Sequence, residues 1–183
     1  MNTQHADHAD HTTGTHITVE ELLADSAAKS IVGYVPGGFD MLHIGHLNIL
    51  RAARKLCTTL IAGVATDESL IRMKNRAPIV PHAERMELVR SLSFVDGVIA
   101  DHDQDKRVAW EEVHFDVLFK GDDWKGTEKG ARLEAELAEV GARVVYLPYT
   151  KSTSSTMLRK FLASEIAERD VALTGAGAAR EEA

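Results

Sequence analysis

Two histidines three positions apart, His43 and His46, follow a pair of glycines at the end of an apolar run. Gly37 and Gly38 allow the backbone to turn tightly and to approach a ligand closely. The segment that follows, LNILRAARKL, has a helical pattern, so the histidines stand at a helix start, where free N–H groups and the helix dipole favour an anion. Imidazoles donate hydrogen bonds and titrate near neutral pH. The arrangement predicts a site for a phosphate that gains negative charge during a transfer reaction.

Four motifs, in this order along the chain, carry a family resemblance. The segment GGFDMLHIGH matches a GxFDxxHxGH signature, and the segment APIVPHAERMELV contains the pair Glu84-Arg85. FKGDDWKG at residues 119–126 contains a GDDW element, and LPYTKSTSST at residues 147–156 stands where an RTxGxSTT-like run is found. Over residues 31–162 the chain resembles the cytidylyltransferases of the HxGH nucleotidyltransferase superfamily, and is most similar to the bacterial glycerol-3-phosphate cytidylyltransferases.

The resemblance implies an activity. An acceptor phosphate oxygen would attack the α-phosphorus of CTP, and pyrophosphate would leave with the assistance of Mg²⁺. The acceptor implied is a small phosphorylated alcohol, with glycerol 3-phosphate as the first choice, and the assembly implied is a homodimer. In such a reaction the protein contributes mainly positioning and charge stabilisation.

The resemblance also assigns roles to residues. His43 and His46 would hold the α-phosphate and stabilise the transition state, and Lys74, in the polar stretch RMKNR that we expect to be flexible, would reach the phosphates. Asp40 would support the turn, the GDDW element would recognise base and ribose, and the hydroxyls near the last helix would bind phosphates or cap that helix. The predicted nucleotide-binding residues are Gly37, Gly38, Phe39, Asp40, Arg85, Gly121, Asp122, Asp123, Trp124, Thr150, Ser154, Ser155 and Thr156.

Two positions depart from the family pattern. Tyr149 stands where the cytidylyltransferases usually have an arginine, and Ser152 replaces a usual glycine. A tyrosine cannot neutralise phosphate charge as an arginine does. We therefore predict Tyr149 and Lys151 as acceptor-binding residues, with Lys151 supplying a cation.

Other functions share parts of this pattern. An adenylyltransferase for a sugar phosphate or a flavin precursor has the same first motif, whereas the GDDW element favours cytidylyl transfer. A non-catalytic nucleotide sensor is an alternative of a different class, and the presence of His43, His46 and Lys74 argues against it. Class I aminoacyl-tRNA synthetases also contain the string HIGH, but this chain has no room for an anticodon-binding domain.

The elements that must position these residues alternate along the chain, which predicts an α/β Rossmann-like fold. We expect a mostly parallel five-stranded sheet with helices on both faces and a ligand at a switch point of the strand order. The predicted strands are residues 31–36, 60–65, 95–100, 116–120 and 143–147. The predicted helices are residues 47–56, 83–92, 104–113, 129–140 and 155–167.

The two ends of the chain have little apolar periodicity. We predict a largely disordered tail at residues 1–29, the nucleotidyltransferase domain at 30–168 and a second tail at 169–183. Within the first tail, residues 18–29 could form one short helix with Leu22 and Leu23 facing inward. Four of the nine histidines lie in this tail, and we expect no metal site there. They are His5, His8, His11 and His16.

Composition narrows the possible partners. The formal net charge is −7, from 21 Lys and Arg against 28 Asp and Glu, which argues against a nucleic-acid binder. The single cysteine, Cys57, excludes an internal disulfide, and no run of about 20 apolar residues could span a membrane. The N-terminus lacks the pattern of a secretory signal, so a cytoplasmic protein is expected.

Overall fold

The computed structural model describes residues 16–26 and 30–178. The strands are β1 (Val32–Gly37), β2 (Thr59–Ala65), β3 (Gly97–Asp101), β4 (Val117–Gly121) and β5 (Arg143–Leu147). The helices are α1 (Val19–Ser26), α2 (Ile44–Arg54), α3 (Asp67–Lys74), α4 (His82–Arg90), α5 (Lys106–Val113), α6 (Glu128–Ala138) and α7 (Ser155–Ala178), and a 3₁₀ turn covers Asp122–Trp124. No helix within these residues is long and apolar enough to cross a membrane.

The five strands form one sheet in the order β3-β2-β1-β4-β5, and all four pairings are parallel. The chain builds outward from β1 to β3 and then returns to the other side of β1 with β4. The strand order therefore reverses between β1 and β4, and loops leaving these two strands diverge and open a crevice at their carboxyl ends. The predicted α/β Rossmann-like fold is confirmed.

A separate apolar core covers each face of the sheet. On one face, Leu22 of α1, Leu50 of α2 and Val89 of α4 are fully buried against the strands. On the other face, Ala109 of α5 and Leu133 of α6 are buried against the opposite side chains of the same strands. Burial on both faces explains why the strands are apolar runs without alternation.

One helix was absent from the sequence prediction. The stretch around Lys74, expected to be flexible, is the last turn of α3, which Thr66 caps by accepting a hydrogen bond from the Ser69 amide at 3.1 Å. Asn75 ends the helix in the left-handed conformation. Only Ser69 and Leu70 of α3 are buried, so the helix lacks the apolar stripe by which we recognised the others.

The predicted boundaries of the domain also change. Within the tail predicted as largely disordered, α1 forms inside the helix predicted at residues 18–29, and Leu22 lies in the core as predicted. The Ile17 amide donates to the Val144 carbonyl at 2.9 Å, so residues 16–26 pack on the domain. Leu23, predicted to face inward, is 48% exposed. At the other end α7 continues through the predicted boundary at residue 168 to Ala178. The predictions for His5, His8, His11 and residues 179–183 lie outside the described residues.

Candidate active site

An open cleft with a volume of about 240 Å³ lies at the carboxyl ends of β1 and β4, at the point where the strand order reverses. Three segments form its walls: the glycine turn and α2 after β1, the end of β4 with the 3₁₀ turn, and the loop between β5 and α7. Most of the side chains and loops assigned to the site come together here. The predicted residues that line the cleft are His43, His46, Lys74, Gly37, Phe39, Gly121, Asp123, Trp124, Tyr149, Thr150, Ser154, Ser155 and Thr156.

The two histidines cap the helix that carries them. His43 is the N-cap residue of α2, and its Nδ1 accepts a hydrogen bond from the Gly45 amide at 3.1 Å. The Nδ1 of His46 accepts from the His43 amide at 3.4 Å, so the pair forms a reciprocal capping box. Because Nδ1 is the acceptor in both rings, each neutral imidazole carries its proton on Nε2. Both histidines therefore carry their N–H donor at Nε2, and that of His43 points to the Ser155 hydroxyl at 3.3 Å.

The environment keeps both imidazoles neutral. Their rings are stacked with centroids 3.9 Å apart, and Phe39 packs against His46 at 5.2 Å. Burial, together with the neighbouring His43 and Lys74, lowers the pKa of His46 to about 3. Burial also lowers the pKa of His43. At neutral pH the pair donates hydrogen bonds without carrying a full charge.

The turn before α2 is unusual in its backbone. Phe39 and Met41 both have positive φ angles, 49° and 50°, a conformation that side chains other than glycine rarely adopt. Phe39 compensates by burying its ring completely in the core. Strain of this kind persists only where the surroundings hold it, and here it sets the direction in which the chain enters α2.

Asp40 is the anchor of this turn. Its carboxylate accepts hydrogen bonds from the amides of Ile79 and Val80 at 2.9–3.2 Å and from the Arg159 guanidinium at 2.6 Å. Burial alone would raise the pKa of Asp40, but these hydrogen bonds outweigh it and lower the pKa. Asp40 thus ties the turn to the loop before α4 and to α7, and it does not line the cleft.

The N-terminus of α7 faces the histidines across the cleft. The Ser155 hydroxyl donates to the Asp40 carbonyl at 2.7 Å and lies 3.3 Å from His43 Nε2. Ser154 caps the helix by accepting from the Met157 amide at 3.2 Å, and Thr156 accepts from Arg76 at 3.3 Å. The N-termini of two helices, α2 and α7, therefore open into one cleft, and the positive ends of both helix dipoles favour bound anions.

The opposite wall is aromatic and acidic. The Asp123 carboxylate folds over Gly121, where a Cβ would lie only 2.4 Å from its oxygen, so a larger residue there would displace the Asp123 side chain. Trp124 and Tyr149 line this wall, and Tyr149 is 45% exposed. Thr150 accepts a hydrogen bond from Asn48 of α2 at 3.0 Å, which links the two walls.

Arg85 does not have the predicted role. It is fully buried and donates to the carbonyls of Val80, Gly38 and Ala65 at 2.5–2.9 Å and to the Asp67 carboxylate at 2.6 Å. Because its guanidinium donates to these internal acceptors, Arg85 stabilises the glycine turn and does not line the cleft.

Other predicted residues also lie outside the cleft. The side chain of Asp122 accepts the Tyr149 amide at 3.0 Å, so it shapes the loop after β5 instead of lining the site. Gly38 provides the turn, and a Cβ there would crowd Leu70 at 3.2 Å. Lys151 is exposed and does not line the cleft.

One chemically active residue of the cleft was missed from sequence. Lys120 lies at the end of β4 with its ammonium 4.0 Å from the centre of the Trp124 ring. A lysine inside an otherwise apolar strand, next to a glycine at the sheet edge, is the signal that could have identified it. The other lining residues without a prediction are Val35, Pro36, Gly45, Ile49, Pro148 and Thr153.

Comparison with known proteins finds a family and several relatives. The cytidylyltransferase-like family model matches residues 34–161. An ethanolamine-phosphate cytidylyltransferase of Arabidopsis thaliana is 37% identical over 70% of this chain, which spans only 31% of that protein. An FAD synthase of Thermoplasma acidophilum is 33% identical over 73% of this chain and 94% of the relative. A glycerol-3-phosphate cytidylyltransferase of Bacillus spizizenii is 29% identical over 74% of this chain and 98% of the relative.

Proposed function

Because this chain belongs to the cytidylyltransferase-like family, we propose that it is a nucleotidyltransferase that transfers CMP from CTP to a small phosphorylated alcohol. The observation that carries the proposal is the convergence of two neutral histidines and two helix N-termini on one cleft. Such a set of fixed donors, in a site that is partly shielded from water, matches a phosphate that gains charge in the transition state.

The reaction needs no covalent intermediate on the protein. A phosphate oxygen of the acceptor forms a bond to the α-phosphorus of the nucleotide, the bond to the bridging oxygen breaks, and pyrophosphate leaves with the electron pair. The Nε2–H groups of His43 and His46 donate to the α-phosphate oxygens, whose charge rises during this step. Lys74 lies beside the glycine turn, since its ammonium is 3.9 Å from the position that a Cβ would occupy at Gly38. There it would neutralise the charge of the leaving phosphates.

Magnesium is proposed as the cofactor. Among the described residues no group of three His, Cys, Asp or Glu side chains could hold a metal ion. This fits an ion held by phosphate oxygens and water, which is how Mg²⁺ commonly binds with nucleotides. Bound there, it would supply charge neutralisation for the triphosphate, and the positioning would remain with the protein's own donors.

For the acceptor we propose glycerol 3-phosphate first. A cytidylyltransferase for this compound aligns with the chain over 98% of the relative and 74% of this chain. The aromatic wall formed by Trp124 and Tyr149 offers a flat apolar surface against which a short carbon chain can pack.

A second candidate is adenylyl transfer. An FAD synthase is among the relatives, and this chain lacks an arginine at position 149. The exposed Tyr149 ring could stack on a nucleotide base, and an aromatic face does not discriminate between bases. The two candidates share the histidine chemistry and differ in the base that the outer wall accepts.

A matrix of substrates tests the proposal. CTP, ATP, GTP and UTP are each combined with glycerol 3-phosphate, phosphoethanolamine or a sugar phosphate in the presence of Mg²⁺, and pyrophosphate release is measured. We expect release with CTP only when an acceptor is present. Turnover with ATP and none with CTP would establish the adenylyltransferase instead, and release from no combination would reject the proposal.

A homodimer is proposed on the same family grounds. Phe161 and Ile166 of α7 are each 61% exposed, which is a large apolar exposure for one helix and supports self-association. Light scattering on the purified protein measures the mass directly, and a mass equal to one chain at micromolar concentration would reject the dimer.

A further inference from the structure

Lys120 is a cation that the proposed mechanism does not use. It is half-buried at the carboxyl end of β4, in the cleft, and its ammonium stands 4.0 Å above the centre of the Trp124 ring. A cation over the face of a tryptophan is attracted by the ring quadrupole, so the side chain is held in one position. The ring supplies attraction but no hydrogen-bond acceptor for the three N–H donors.

No carboxylate satisfies these donors in the described part of the chain, where Lys120 forms no ion pair or hydrogen bond. The buried carboxylate of Asp101, which acts on the charge of Lys120, is already engaged, because Lys106 donates to both of its oxygens at 2.7 and 2.8 Å. A half-buried ammonium without a protein acceptor is a favourable partner for an anion that enters the cleft.

The charges around Lys120 also bear on the binding of an anion. Burial lowers the pKa of Lys120 to about 8, and the like charge of Lys106 on α5 acts in the same direction. Asp101 and Asp123 oppose the shift, and Lys74 on α3 adds to it. An anion that enters the cleft would reverse the balance and raise the pKa again.

The position of Lys120 separates it from the groups assigned to the nucleotide. Lys74 and Lys120 are the two Lys or Arg side chains among the described residues that line the cleft. Lys74 lies beside the glycine turn, whereas Lys120 lies on the aromatic wall with Trp124 and Tyr149. The triphosphate is already provided with Lys74, two imidazoles and two helix N-termini, but the acceptor phosphate has no other cation.

We propose that Lys120 binds the phosphate of the acceptor and thereby selects substrates that carry a phosphate dianion next to a short apolar segment. This inference rests on the proposed function and extends it to the second substrate. The ammonium would pair with the phosphate while Trp124 and Tyr149 contact the carbon chain. Because Lys120 is partly neutral above pH 8, binding of the acceptor at that pH takes up a proton.

Competitive labelling tests the binding directly and needs no turnover. The rate at which acetic anhydride acetylates Lys120 is measured by mass spectrometry from pH 6.5 to 10, with the exposed Lys125 as the internal reference. We expect a midpoint near pH 8 in the free protein. Saturating glycerol 3-phosphate should slow labelling at pH 8 by about 5-fold, because a rise of the pKa by about one unit lowers the neutral fraction at pH 8 from about one half to about one tenth, and CTP alone should not.

Kinetics with matched variants test the same residue in the reaction. Lys120→Met should raise the KM for glycerol 3-phosphate by about 10- to 100-fold, as expected for one charge-assisted hydrogen bond, and change the KM for CTP by less than about threefold. Lys120→Arg should restore much of the acceptor affinity and remove the loss of affinity above pH 8. Lys125→Met removes an exposed lysine five residues further along the chain; it is the control and should behave like the unsubstituted protein.

The outcomes separate this inference from the proposed function. If no combination of nucleotide and acceptor is turned over, the proposed function fails, and protection of Lys120 by glycerol 3-phosphate or inorganic phosphate still decides whether it binds anions. Protection by CTP and not by these phosphates would overturn the inference. An unchanged KM for the acceptor in folded Lys120→Met, with a normal melting temperature, would overturn it as well.

Discussion

The two walls of the cleft are built differently. The histidine turn, residues 37–46, is saturated with internal hydrogen bonds: His43 and His46 cap α2, and Asp40 accepts three donors from other segments. The aromatic wall, residues 120–124 with 148–150, leaves the Lys120 ammonium unpaired among the described residues and the Tyr149 ring 45% exposed. The groups of the histidine turn have their partners before substrates bind, whereas the aromatic wall gains partners from the substrates.

This difference indicates which wall acts in the transfer step and which wall determines substrate preference. Donors that are already oriented need no reorganisation when charge develops, so they lower the barrier of the transfer step. Groups with unsatisfied capacity gain most from a ligand, so they determine which ligand binds. Substitutions in the histidine turn should therefore change turnover or stability, and substitutions in the aromatic wall should change substrate affinity and preference.

The largest effect is expected at His46. Replacing His46 by Ala removes one preorganised donor, which typically lowers turnover by about 100- to 1000-fold. The affinity for CTP should stay within about an order of magnitude, because the lost contact strengthens mainly in the transition state. The turnover number and the KM for CTP are measured side by side.

The control is His102→Ala, since His102 is exposed and lies outside the cleft. Near-normal turnover in folded His46→Ala would remove the histidine turn from the reaction.

A second substitution tests whether Arg85 stabilises the glycine turn. Arg85→Met leaves the Gly38, Ala65 and Val80 carbonyls without their buried donor, and should lower the free energy of unfolding by about 3 kcal/mol. Chemical denaturation measures the loss. Arg90→Met on the same helix is the control, because the exposed pair of Arg90 with Glu87 contributes less than about 1 kcal/mol. An intact stability with a raised KM for CTP would restore the nucleotide-binding role predicted from sequence.

A smaller effect is expected on the aromatic wall. Tyr149→Arg adds a cation near the place of Lys120, which should favour an anionic acceptor and disfavour one that carries an ammonium. The ratio of kcat/KM for glycerol 3-phosphate to that for phosphoethanolamine should rise by about 10-fold, the value of one such contact. If the ratio does not change, Tyr149 does not face the acceptor, and the aromatic wall has less influence on choice than the comparison requires.

The histidine turn and the sheet were predictable because their signals are local. Buried strands on both faces appear as short apolar runs, and the structure places all five within two residues of the predicted bounds. Spacing alone puts His43 and His46 on one side of a helix start. The reciprocal capping that fixes their tautomers depends on backbone geometry and is not visible in residue types.

The residues that were misassigned depend on contacts between distant segments. Arg85 was expected at the nucleotide, but its carbonyl partners at Gly38 and Ala65 lie at the carboxyl ends of β1 and β2, which meet only in the folded sheet. Lys120 was overlooked because its chemistry comes from burial and from Lys106, which are properties of the tertiary structure. Helix α3 was missed because Leu70 is its one buried apolar residue, so its sequence shows no apolar stripe.

The most direct test of the account follows the phosphorus atoms. CTP labelled at the α- or the γ-phosphorus is incubated with the protein, Mg²⁺ and glycerol 3-phosphate, and the products are separated. We predict that the α-label appears in a product that also contains the acceptor, that the γ-label appears in pyrophosphate, and that His46→Ala slows both together. Transfer of the γ-label to the acceptor, or release of labelled CMP without an acceptor, would contradict a nucleotidyl transfer at the histidine turn.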